Sequence, residues 1–253
     1  MRFTHRMSRL HTGAMRVLIG EIASGRYAEG ELLPRELDLA ERFDVSRNVA
    51  RECVRGLEER GLVSVRHGRG ARVRPEHEWD RFDSDVLAAL LGGPRAAGVI
   101  GEYLECRRIL EVEAAGLAAE RATPEAIQAL SDAFDGMRAA AERARGNPAA
   151  EPLYQQADID FHRAIIRAAR NRPLARMAEP IHRALSATFG ALARPQSRFE
   201  RGLPEHDRIL EAIRGGDAAG ARLAMREHLL TVEGYLRERT AATTREGGAA
   251  VPG

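Results

Sequence analysis

Apolar positions in the first 75 residues fall into short periodic groups separated by turn residues. Val17, Leu18, Ile22 and Tyr27 predict a first helix from about Gly13 to Ser24, closed by Gly25, with residues 1–12 as a flexible arm ahead of it. Leu37, Leu39, Ala40 and Phe43 predict a short second helix ending at Asp44-Val45-Ser46. Over Asp44–Arg60, Val49, Cys53, Val54 and Leu57 form one apolar stripe behind an N-capping Ser46, while Arg47, Arg51 and Arg55 form a separate row four residues apart. Gly61 stops that helix. Leu62–Val65 and Ala71–Val73 then alternate as two short strands around the glycine-bearing tip Arg66-His67-Gly68-Arg69-Gly70. A tight helix pair followed by a hairpin reads as a winged helix-turn-helix over residues 13–74.

The pattern changes after Val73. Residues 75–97 read as a linker with a short helix through Leu91, bounded by Pro75 and Gly92-Gly93-Pro94, and Trp79 is expected to act as an aromatic pin between domains. From residue 98 to 239 strand signals vanish. Helical segments of about 98–121, 124–145, 152–170, 173–193, 199–215 and 217–238 are separated by breaks no longer than a few residues, which favour antiparallel neighbours in an all-α bundle. Residues 240–253 are small and polar enough to form a disordered tail. The expected fold is therefore mainly α: an N-terminal winged helix-turn-helix and a C-terminal antiparallel helical bundle.

Charge sharpens this division. The chain carries +2 overall, but residues 1–75 hold 15 Arg against 10 acids, and the remainder 24 Arg against 27 acids. The positive excess sits with the helix-turn-helix, as a DNA-binding module requires. All 39 basic residues are Arg, which a GC-rich coding bias explains, so position and not number carries the argument. A guanidinium can grip a phosphate or a guanine edge through two hydrogen bonds. Two cysteines, Cys53 and Cys106, lie in separate helical patterns and argue against a disulfide framework; with no apolar signal core and no membrane-length span, the expected location is the cytoplasm.

The stretch SGRYAEGELLPRELDLAERFDVSRNVARECVRGLEERGLVSVRHGRGARV resembles the DNA-binding domain of GntR-family bacterial transcription regulators, with the match running over about residues 13–74. That resemblance implies contacts to double-stranded DNA from Ser46, Arg47 and Arg51 on the recognition helix and from His67, Gly68 and Arg69 at the wing tip. One departure stands out. The family's Leu-Pro-Ser-Glu-Arg run is here Leu33-Pro34-Arg35-Glu36-Leu37, so the expected arginine position holds Leu37 and Arg35 takes over the contact from two residues earlier. The Trp79-Asp80 to Leu87 run resembles the linker of sugar-acid-responsive regulators in the FadR subfamily.

In the second domain Asp158 and His162 are four apart and share a helix face, and His206 and His228 lie on two later helices. Three imidazoles and a carboxylate suit a borderline divalent cation, zinc first, with nickel or manganese possible. Taken singly, each histidine is more often a packing or surface residue than a ligand. The FCD effector domain of the FadR subfamily has metal-binding members with an Asp-x-x-x-His pair and two later histidines, and the resemblance assigns Asp158, His162, His206 and His228 to that role. It also implies that Arg107 holds the carboxylate of a small organic acid, a sugar acid or hydroxy acid. The plain alternative is an Arg107–Glu111 ion pair one turn apart. Asp160 is expected to face solvent or a salt bridge; His182 fits equally a place just behind the metal ligands and a partly exposed helix start at Pro180-Ile181-His182-Arg183, and it stays outside the site.

Together these readings predict a homodimeric regulator, a repressor, on an inverted-repeat operator, with no membrane association. Two alternatives stand beside this reading: a metal-dependent hydrolase in the helical domain, and a regulator whose metal is purely structural.

Overall fold

Gly13 does not begin the first helix: α1 runs Arg2–Ala23, so the residues expected to form a flexible arm are helical. No proline and no other glycine lies ahead of Gly13, and one glycine inside a helix costs only about 1 kcal/mol. The computed structural model describes residues 2–66, 68–93, 95–145, 147–191 and 197–248. It divides into two compact units, Met1–Val99 and Ile100–Gly253.

In the first unit α1 buries Met15, Leu18, Ile19 and Ile22. Helices α2 (Glu36–Arg42) and α3 (Arg47–Glu59) follow, joined through Asp44 at φ +50°. The carboxylate of Asp38 accepts from the Arg35 N–H at 3.1 Å, which fixes the start of α2. Ser46 Oγ accepts from the Val49 N–H at 3.3 Å and caps α3, whose Val49, Cys53, Val54 and Leu57 are buried. Strands β1 (Val63–Arg66) and β2 (Gly70–Val73) pair antiparallel with Val63 opposite Val73. Backbone bonds Gly30 N–Val73 O, Val73 N–Glu31 O and Leu33 N–Ala71 O lay residues 30–33 along the free edge of β2. The wing is thereby tied to the chain that leads into α2.

The stretch expected to be a linker belongs to this unit. Helix α4 (Ser84–Leu91) lies against α1, capped by Asp83, whose carboxylate accepts from the Asp85 and Val86 N–H groups and pairs with Arg60 Nε at 3.0 Å. Arg16 Nε reaches Asp85 at 2.9 Å. Trp79 is buried and its indole N–H donates to the Arg74 carbonyl at 3.0 Å, so its anchor is within the winged helix.

Helix α5 (Ala96–Arg121) starts in the first unit and lies mostly in the second, which continues with α6 (Pro124–Ala144), α7 (Glu151–Ala168), α8 (Arg172–Ala191), α9 (Ser197–Arg214) and α10 (Ala218–Gly248). Thr123 caps α6 with Pro124 at its first position, the placement that uses proline's missing N–H. The core joins Leu130 and Met137 of α6, Phe161 and Ile165 of α7, Ile209 and Ile213 of α9, and Met225 and Leu229 of α10. Helix α10 continues through the residues expected to form a tail, because no glycine or proline interrupts 240–246; residues 249–253 lie outside the described residues. No described helix is long and apolar enough to cross a membrane.

Candidate functional site

Two features of this fold can carry function, one in each unit. In the first, burial of the apolar stripe of α3 leaves Arg47, Arg51 and Arg55 exposed in a row, with no acidic partner among the described residues. Arg35 is exposed at the start of α2, and Gly68 and Arg69 are exposed beside the wing tip, with Gly68 at φ +72° and open space around its α-carbon. Unpaired guanidiniums at a helix N-terminus and at a hairpin tip suit a polyanion that offers a groove and phosphates. His67, expected in this face, lies outside the described residues.

In the second unit Asp158, His162, His206 and His228 are each no more than 2% exposed. One ligand atom from each lies within 4.8 Å of all the others. One helical turn separates Asp158 and His162 on α7, while α9 and α10 bring His206 and His228 to the same point. His206 Nε2 is 3.2 Å from Asp158 Oδ1 and 3.3 Å from His162 Nε2. Phe161 stands edge-on to the His206 ring, with 5.2 Å between centroids.

The outward nitrogens decide what the inward ones can do. His206 Nδ1 is 2.6 Å from the Gly202 carbonyl, which can only accept, so that nitrogen carries the proton. His228 Nδ1 donates in the same way to the Glu205 carboxylate at 2.8 Å. His162 Nδ1 lies 2.5 Å from Glu111 Oε2. A neutral imidazole with Nδ1–H presents a lone pair at Nε2. His228 Nε2 is buried without any hydrogen-bond partner, and the His162 and His206 Nε2 atoms face each other. Converging lone pairs beside a carboxylate fit a divalent cation, and an acceptor behind each ring is the usual support for metal-binding histidines. With nitrogen and oxygen donors and no sulfur, the set suits a borderline ion.

Burial reinforces the neutral state of the His162 and His228 rings. Desolvation lowers His162 from 6.5 to about 4, with Arg107 acting in the same direction and Glu111 and Asp158 against it. His228 is pushed well below 6.5 by burial and by the nearby His206 and His162. Burial alone would raise Glu111, but Arg107, His162 and His182 together hold it well below 4.5.

Comparison with known proteins joins the two features. Residues 13–73 match the model described as bacterial regulatory proteins, gntR family, and residues 102–231 match the FCD domain. The chain is 30% identical over 221 residues to the galactonate operon transcriptional repressor of Escherichia coli (strain K12), covering 87% of this chain and 93% of that protein. The chain belongs to the GntR family. It is also 31% identical over 227 residues to the HTH-type transcriptional regulator LutR of Bacillus subtilis (strain 168), covering 86% of this chain and 98% of that one. A solved structure of Lar, which controls the expression of the Listeria monocytogenes agr system, shares the fold with a TM-score of 0.59 at 19% identity, over 90% of this chain and 96% of that one. The protein is thus a GntR-family transcription regulator with an FCD domain, and the hydrolase alternative falls away.

Within this GntR-family regulator the four expected metal ligands come together. Arg107 is buried and its Nε pairs with Glu111 Oε1 at 2.8 Å, so the plain reading of that pair is realised. The same arginine acts electrostatically on Asp158, His162 and His228. Asp160 is exposed and bonds Gln156 and Arg163, as expected. Of the two readings of His182 the structure takes the one close behind the ligands: it is buried inside α8, with Nε2 2.7 Å from Glu111, because α8 starts at Arg172 and carries Pro180 in its interior. Glu111 itself was missed. Its signal was a carboxylate in the apolar run Ile109-Leu110-Glu111-Val112, in line with the inward Ala115 and Ala118.

Proposed function

We propose that this regulator is a cytoplasmic homodimeric repressor that binds an inverted-repeat operator and is controlled by a small organic acid bound at a divalent metal in the FCD domain. The observation that carries the metal half is the buried convergence of the His162, His206 and His228 Nε2 atoms with the Asp158 carboxylate. Zinc is the first choice, with nickel or manganese as alternatives. The bound ion supplies a positive centre for a carboxylate or hydroxyl oxygen. Arg107, already charged and buried beside the ligands, offers a fork for the same carboxylate.

On the DNA side, Ser46, Arg47 and Arg51 take the major groove and nearby phosphates, with Arg35, His67, Gly68 and Arg69 flanking. The exposed, unpaired arginine row on α3 supports this assignment. A two-fold dimer reads a two-fold site, and each arm raises the effective concentration of the other. The similarity to a galactonate operon repressor supports a sugar acid as the effector class. Effector and operator are linked, so an acid that weakens DNA binding is itself bound more weakly by the DNA complex.

The near-complete burial of all four ligands favours a second reading in which the metal is structural and no acid reaches it. A gel shift on the promoter beside the protein's own gene separates the two. Metal-loaded protein, chelator-stripped protein, and metal-loaded protein with a panel of aldonates, uronates and hydroxy acids are compared. Release by one acid only when metal is present supports effector control. Binding indifferent to every acid leaves the structural metal, and no sequence-specific shift overturns the operator assignment.

A further inference from the structure

Glu111, on α5, is 1% exposed and meets side chains from three helices. Oε1 accepts from Arg107 Nε at 2.8 Å and lies 2.7 Å from His182 Nε2 on α8, while Oε2 lies 2.5 Å from His162 Nδ1 on α7. The last approach is not a straight hydrogen bond, and neither atom has another hydrogen-bond partner. Two bare lone pairs at that distance in a dry interior would repel strongly, so a proton belongs on His162 Nδ1. The opposite tautomer would put the proton on Nε2, the atom 3.3 Å from His206 Nε2, where a cation must sit.

We propose that Glu111 is the positioning residue of the metal centre: it holds His162 in the Nδ1–H tautomer, turns Nε2 toward the ion, and ties that ligand to Arg107 and to α8. The proposal rests on the metal-binding reading above and goes beyond it by assigning an orienting group outside the four ligands. A carboxylate is required for the task. Glutamine has one acceptor oxygen, and its amide N–H groups would face at least one of the three side-chain nitrogens gathered around Glu111. A carboxylate behind a ligating imidazole also raises its basicity, and loss of such a group costs metal affinity by ten- to a hundredfold.

The test uses full-length protein with ¹⁵N-labelled histidine, stripped of metal at pH 7, in which long-range proton–nitrogen correlations distinguish the two tautomers. The His162 signal is identified by its absence from a His162→Asn chain. In the wild-type chain His162 carries its proton on Nδ1; in Glu111→Gln that preference is lost, and the affinity for Zn²⁺, read by competition with a chelating dye, falls about ten- to a hundredfold. A wild-type His162 protonated on Nε2 alone overturns the proposal, as does a folded Glu111→Gln chain that keeps both the tautomer and its Zn²⁺ affinity within about twofold of wild type. If Glu111→Gln does not fold, the wild-type spectrum decides. A wild-type chain that takes up no Zn²⁺ defeats the metal reading itself, while the tautomer comparison still shows whether Glu111 orients the ring.

Discussion

His162 shows how one buried ring links stability to pH. Its folded value of about 4 lies below the ordinary 6.5, so the unfolded chain takes up the proton first as pH falls. For metal-free protein the stability from His162 is fully present above 6.5 and is lost between 6.5 and about 4; His228 shifts in the same direction. Glu111, held well below 4.5, gives up its share only at more acidic pH. Between pH 7 and pH 5 we expect a loss on the order of 2 kcal/mol from His162, read as a lower urea midpoint. A His162→Asn chain shows a smaller change over the same range. An equally steep profile there would place the titration elsewhere.

A second residue-level expectation concerns Gly202, whose carbonyl accepts the hydrogen bond from His206 Nδ1. A Cβ at this position would stand 2.9 Å from the hydroxyl of the fully buried Tyr154. Gly202→Ala therefore forces either the ring or the α9 backbone to move, at about 1–3 kcal/mol. Weaker zinc uptake should accompany the lower thermal midpoint. Unchanged uptake would mean that the added Cβ is accommodated without disturbing His206 or its carbonyl partner.

At the scale of elements, what could be read from the sequence follows from how local each signal is. The turn into α3 was legible because Ser46, the apolar stripe and Gly61 act over a few residues. Gly61 shows φ +72°, and a Cβ there would come within 2.3 Å of the Glu78 carbonyl, so the helix stop also lets the start of the next segment cross. Gly61→Ala should destabilise the first unit by at least about 2 kcal/mol and abolish operator binding at 37 °C; wild-type binding by this variant would refute that role. That Asp158, His162, His206 and His228 form one cluster was legible from the one-turn pairing of Asp158 with His162 and the family order of two later histidines. Glu111 was hidden because a glutamate one turn after an arginine looks like a surface pair, and only the packing of α7 and α8 makes it a hub. His182 stayed ambiguous in the sequence because Pro180 mimics a helix start. The extents of α1 and α10 were underestimated because small polar residues do not by themselves end a helix.

At the scale of the molecule, the candidate ligands all belong to the Ile100–Gly253 unit and none to Met1–Val99. A cation bound only by the folded site adds about 2.7 kcal/mol when its concentration is a hundred times its Kd. Calorimetry of the full chain should then show a transition of the helical unit that falls on chelation and recovers on adding Zn²⁺. A scan insensitive to both would remove the metal from the stability of this unit.

The chain holds one tryptophan, and Trp79 is buried in the winged-helix unit with its indole N–H bonded to Arg74. Nature has thus placed the chain's one indole fluorophore in the half of the protein that meets DNA. Its emission should be blue-shifted in the native state and move red when the winged helix melts, whatever the helical unit is doing. The same light can follow signalling: a change in Trp79 emission on adding metal or an organic acid would be a message that began among histidines and arrived at the DNA-reading end.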